Sequence, residues 1–160
     1  MITGGNTMKH TLLIITALML VFGCSNDGVI TEYYENGQKK SETTYKDGEW
    51  DGLYVSWHEN GQKAHEVTYK DGKEDGLQTW WYENGQKSAE GMYKDGKEDG
   101  LETTWHENGQ KEKETTYKDG KEIEVTRWAY HMNGQKSFEG TYKDGKEIDY
   151  KAWDKYGNKK

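Results

Sequence analysis

The chain has 160 residues, with 22 Lys and Arg against 29 Asp and Glu, 20 glycines, no proline and one cysteine. That length suits one domain, but only ten Leu, Ile and Val follow position 24, against 20 Trp, Tyr and Phe, which excludes a conventional aliphatic core. Disordered chains are excluded as well, because they are poor in aromatics and here the rings recur at fixed places.

The first 24 residues differ from the rest. Lys9 and His10 precede an apolar run from Leu12 to Phe22, broken only by Thr16. A basic head and a run about half the length of a membrane-spanning helix mark a secretory leader, residues 1–23, with Met8 a good start. The run ends Val21-Phe22-Gly23-Cys24, which resembles the lipobox of bacterial lipoproteins. That resemblance implies cleavage before Cys24 and lipid on its sulfur, so the expected partner there is a membrane. Ser25 is not the aspartate that retains many such proteins at the inner membrane, so the expected address is the cell envelope, and the outer membrane in a Gram-negative host. Residues 24–31 read as the lipidated Cys and a short polar tether.

A repeat domain is expected over residues 32–160. Asn-Gly begins at Asn36, Asn60, Asn84, Asn108 and Asn133, and Tyr-Lys-Asp-Gly at Tyr45, Tyr69, Tyr93, Tyr117 and Tyr142. The period is 24 residues, 25 at the last step, and Trp153–Lys159 begins a sixth copy. A period in the twenties indicates stacked supersecondary units. Both dipeptides are hairpin signals, because glycine supplies the positive φ of a tight reversal, and Thr, Tyr, Trp and Val between them suit strands. Each unit should therefore give two antiparallel strands. The fold class is all-β: an elongated single-layer meander of about five and a half hairpins, some eleven strands.

Three-residue loops throughout give the cleanest apolar face. They place Leu77, Thr79 and Trp81 with Ala89, Gly91 and Tyr93, and Leu53, Val55 and Trp57 with Val67 and Tyr69. The extra residue of the fifth unit lies between Gly120 and Asn133, where a β-bulge would absorb it.

Residues 90–109, EGMYKDGKEDGLETTWHENG, resemble the MORN repeat, and the ENGQK…Y-DG-x-x-G string is similar to the bacterial variant of that repeat in YwqK-family antitoxins. Tyr54, Gln78 and Glu102 stand where the usual repeat has a second glycine. The resemblance covers about residues 32–160 and implies a meander of hairpins, an interaction role and no catalytic residues.

No residue set points to catalysis. His58, His106 and His131 share one repeat position, but units two apart stand near 20 Å, far beyond a shared zinc at ~2.0–2.1 Å. Glu42, Glu66, Glu90, Glu114 and Glu139 form a ladder beside Lys39, Lys63, Lys87, Lys111 and Lys136, explained by cross-strand pairing. Asp95–Gly100 glances at a calcium loop but has His106 where the twelfth-position carboxylate belongs. No cofactor, metal or catalytic residue is expected. Without Lys9 the chain carries 21 bases against 29 acids, a net charge of −8 with lysines interleaved among acids, which disfavours nucleic acid.

Surface recognition remains. Trp50, Tyr54, Trp80 and Tyr82 are the candidate partner-binding residues. Two readings follow: an envelope-anchored, non-catalytic interaction module with an unidentified protein partner, or an antitoxin whose acidic ribbon covers a basic toxin. A carbohydrate-binding ribbon built on Trp80 and Tyr82 has no specific motif.

Overall fold

A computed structural model describes residues 27–160. They form one open antiparallel sheet: β1 (Gly28–Tyr33), β2 (Lys39–Lys46), β3 (Glu49–Trp57), β4 (Lys63–Lys70), β5 (Lys73–Glu74), β6 (Gly76–Trp81), β7 (Lys87–Lys94), β8 (Lys97–Glu98), β9 (Gly100–Trp105), β10 (Lys111–Lys118), β11 (Lys121–Tyr130), β12 (Lys136–Lys143) and β13 (Lys146–Ala152). Eleven strands follow one another across the sheet in chain order, with the two-residue β5 and β8 paired to β4 and β7. The all-β hairpin meander is therefore as expected. The leader and Cys24 lie outside the described residues. β1 begins inside the segment read as a tether, because Val29, Ile30 and Thr31 already pair with Thr44, Thr43 and Glu42 of β2.

The two turn dipeptides fold differently. At Asn84-Gly85 the loop has three residues: Tyr82 N–H donates to the Gln86 carbonyl at 2.9 Å, and Gly85, at φ +81°, donates to the Tyr82 carbonyl at 2.9 Å. At Asp95-Gly96 both residues have positive φ, +51° and +78°, and Lys94 faces Lys97. That is a two-residue type I′ turn, whose twist matches the flanking strands. The expectation of three-residue loops throughout thus fails at every Tyr-Lys-Asp-Gly, where Asp47, Asp71, Asp95, Asp119 and Asp144 adopt the left-handed region.

The expected apolar face fails for a related reason. Beside the Asn-Gly loop Trp81 faces Lys87, but one step on Trp80 faces Ala89. Ser88 is an unpaired bulge, and it moves every later residue of β7 to the other side. Gln78 and Trp80 therefore share a face with Ala89, Gly91 and Tyr93, while Leu77, Thr79 and Trp81 lie opposite. In the second unit Val67 likewise faces Tyr54 rather than joining Leu53, Val55 and Trp57. The fifth unit carries a bulge where Tyr117 faces Glu122 and Thr116 faces Glu124, leaving Ile123 over. The same step in the first unit, from Tyr45–Trp50 to Thr43–Tyr54, leaves two residues over, so the extra residue is not absorbed there and instead lengthens β11.

We call the side bearing Tyr54, Val67, Gln78 and Trp80 the ring face, and the side bearing Leu77, Thr79 and Trp81 the ladder face. The thin core lies mainly on the ring face, where Val67 and Thr115 are 0% exposed and Gln78 2%. Large rings beside these residues exclude water, so a glutamine is buried where a leucine one residue away is not.

Candidate partner-binding face

On the ring face, the first three units carry a continuous row of rings. Trp50 stacks on Tyr54 with centroids 5.3 Å apart and planes at 13°. Tyr54 meets His65 edge-on at 5.7 Å, and His65 stacks on Trp80 at 4.9 Å and 10°. Tyr45 and Tyr69 close on Trp50 from either side at 6.3 and 4.7 Å, and the Trp50 indole N–H donates to the Tyr45 hydroxyl at 3.0 Å. All six rings are half-buried. Trp50, Tyr54 and Trp80 are thus brought together as the sequence suggested. His65 links them and was missed; its repeat position holds Ser41, Ala89 and Phe138 in other units, so no periodic signal marked it. Burial pushes its imidazole below the usual value, which keeps the ring neutral for stacking.

Tyr82 does not belong to this row. Its hydroxyl donates to the Trp105 carbonyl at 2.6 Å, one unit on. Tyr34 does the same to Trp57 at 2.6 Å, and the Nε2 of His58 and of His131 sits 2.8 and 3.0 Å from the carbonyls of Trp81 and Trp153. This repeat position ties a unit to the next through Tyr34, His58, Tyr82 and His131, while the His106 ring meets Tyr130 edge-on at 6.4 Å. The Asn-Gly asparagines add a parallel tie: Nδ2 of Asn60, Asn84 and Asn133 donates to the carbonyls of Glu83, Glu107 and Lys155 at 2.7, 2.9 and 2.8 Å. Aspartate has no such donor, which explains why the two turn dipeptides are not interchangeable.

Beyond Trp80 the ring face turns acidic. Glu74 accepts from Gln78 Nε2 at 2.7 Å, and Lys113 lies 3.9 Å from Glu102. Burial, with Glu98, Glu102 and Glu74 nearby, pushes the Tyr93 phenol up to about 12. Burial and the Glu102 charge also raise Glu98.

The glutamate row of the ladder face is neutralised. Lys39, Lys63, Lys87, Lys111 and Lys136 pair with Glu42, Glu66, Glu90, Glu114 and Glu139. These pairs run along one strand at a spacing of three, not across strands as expected. Residues three apart normally point to opposite faces, and the bulge between them brings them to the same one. Four of the lysines also sit over Trp57, Trp81, Trp128 and Trp153 at 5.3–5.6 Å.

At Asp95–Gly100, Asp95 belongs to the tight turn and Asp99 is paired with Lys118 at 2.8 Å. Among the described residues no group of three or more His, Cys, Asp or Glu is placed to hold a metal ion.

A family model described as the MORN repeat variant matches residues 26–47, 50–71, 74–95 and 98–119, a little over half of the chain. The fifth unit and the closing half unit lie beyond the matched stretches. No curated protein matches. Among solved structures, a chain from accessory secretory protein 1, 2 and 3 of Streptococcus pneumoniae aligns at 14% identity and a TM-score of 0.21, covering 75% of this chain and 18% of that one. The chain thus spans less than a fifth of that neighbour.

Proposed function

The chain belongs to the MORN repeat variant family, and on that premise we propose that it is a non-catalytic protein-interaction module held at the cell envelope by lipid on Cys24. The observation that supports the interaction role most is the unbroken row Trp50–Tyr54–His65–Trp80 on the ring face. Flat rings packed face-on and edge-on and left half-exposed give a rigid apolar contact at small entropic cost, the composition that recognition surfaces favour. The leader and Cys24 support the envelope address, with strand pairing beginning only four residues later at Gly28. The ribbon would then start directly at the membrane surface.

Fatty-acid labelling with membrane fractionation tests the anchor. Native chain should be labelled and membrane-bound, and Cys24→Ala should lose both. A native chain that is soluble, unlabelled and still carries residues 1–23 would overturn it.

The acidic stretch Glu74, Glu98 and Glu102 beside the rings favours a second reading, an antitoxin or immunity protein that covers a basic toxin. A lipid-anchored copy protects only against a toxin acting in the envelope. A toxin encoded beside this chain and neutralised by it would decide for this reading.

A further inference from the structure

The ladder face carries a second feature that the ring-face reading does not use. Val29 faces Thr44, Leu53 faces Thr68, Leu77 faces Met92 and Leu101 faces Thr116. Each also lies two residues along its strand from a residue of the neighbouring row Thr31, Glu42, Val55, Glu66, Thr79, Glu90, Thr103 and Glu114, so all eight share one face. They form an uncharged ridge across eight strands, in a chain that is 32% charged. The aliphatic members are not tucked in: Val29, Leu53, Leu77, Met92 and Leu101 are 42–58% exposed. Contiguous exposed apolar surface of this kind marks an interaction site.

We infer that the ladder face is a self-association surface on which two copies of this chain pack face to face, ridge against ridge, about a two-fold axis near Thr68 and Leu77. Charge decides the occupant. The molecule is acidic overall, and its ring face carries Glu74, Glu98 and Glu102 with Lys113 beside Glu102 and Arg127 facing Lys113. On the ladder face every member of the glutamate row has its lysine. The strip made of the glutamate row and the Leu/Thr ridge, bounded by the turn lysines Lys70, Lys73, Lys94 and Lys97, is therefore where two acidic copies can meet without opposing uncompensated glutamates.

Size agrees. Eight strands at ~4.8 Å span roughly 35 Å, and the Trp, Glu/Thr and Leu/Thr rows together are close to 20 Å wide. That is on the order of 700 Å² per copy, near the ~800 Å² per partner of a stable interface. A ridge that repeats every unit is also self-complementary under a two-fold axis, as isologous contact requires. In the antiparallel arrangement Leu77 meets Thr68 of the other copy, Leu53 meets its Met92, and Leu101 meets its Thr44.

Co-purification of two differently tagged full-length copies, expressed together, tests this. The native pair should co-purify. Leu53→Glu with Met92→Glu in both copies should reduce recovery at least tenfold. Leu53→Glu with Met92→Lys should restore it, because each Glu then faces a Lys of the other copy. Trp80→Ala, on the opposite face, should leave recovery unchanged, and far-ultraviolet circular dichroism establishes that each variant keeps its sheet. Native copies that do not co-purify, or a double-Glu variant recovered as well as native, would overturn the proposal. Failure of the Glu/Lys variant beside loss in the double-Glu variant would overturn the antiparallel packing.

Discussion

Tyr82→Phe separates a structural from a binding role for the residue that the sequence placed on the partner surface. The substitution removes one oxygen and keeps the ring. What is lost is the part-buried hydrogen bond to the Trp105 carbonyl at 2.6 Å, which joins units 23 residues apart. Such a bond contributes about 1 kcal/mol net, and somewhat more where the deserted carbonyl is kept from water. For an ordered region of this size that lowers Tm by about 4 °C. Tyr34→Phe removes the equivalent bond to Trp57. The two sites stand four strand spacings apart, ~19 Å, so their effects should add to about 2 kcal/mol in the double variant. Urea unfolding followed by tryptophan fluorescence and circular dichroism measures both. Tyr82→Phe should leave partner capture unchanged under native conditions. Unchanged stability together with weakened partner capture would refute the reasoning and return Tyr82 to the binding surface.

Glycine and core substitutions extend the test. Gly37 and Gly109 have nearly equal φ, +83° and +80°, but a Cβ at Gly37 meets open space while one at Gly109 would sit 2.9 Å from Gln86 Oε1. Each alanine variant should lose about 1 kcal/mol for the backbone conformation, with a few tenths more at Gly109, where a flexible amide can move. Val67→Ala should cost about 2 kcal/mol, whereas Val29→Ala, at a 58% exposed site, should stay within about 0.5 kcal/mol. Acid stability should depend on Glu139, whose carboxyl is held at about 2 by Lys136, Lys151 and the Trp128 indole N–H. A depressed carboxylate contributes fully above its ordinary value near 4.5 and loses that contribution as pH falls towards 2. The full shift corresponds to about 3 kcal/mol, which exposure reduces to about 1 kcal/mol. Glu139→Gln should flatten this acid limb in pH-dependent unfolding.

The architecture was written in the turn signals, because Asn-Gly and Asp-Gly at a fixed period leave little choice but a meander of hairpins. Which side chains share a face was not. An apolar face is the buried one when a second layer covers it. In one layer, burial follows local ring cover, so Gln78 and Thr115 are enclosed while Leu53, Leu77 and Leu101 stay half in solvent. The bulge at Ser88 has no marker of its own, but the spacing of Lys87 and Glu90 hinted at it, since an ion pair at three residues in a strand needs a bulge. For the candidate site, Trp50, Tyr54 and Trp80 stood out as large rings at positions that are small or polar elsewhere in the repeat. Tyr82 stood out as a ring beside Trp80, at a position that holds Tyr34, His58, His106 and His131 in the other units, yet its hydroxyl serves the backbone. A ring's chemical character is visible in the sequence, but its hydrogen-bond partner is fixed only by the sheet.

Photo-crosslinking in living cells tests the functional account most directly, with a photoreactive residue at Ser56, which faces His65 on the ring face. The account predicts a discrete adduct with one envelope protein, which disappears when Trp50→Ala and Trp80→Ala are combined. An adduct that survives loss of both rings, or no adduct from Ser56 at all, would contradict it.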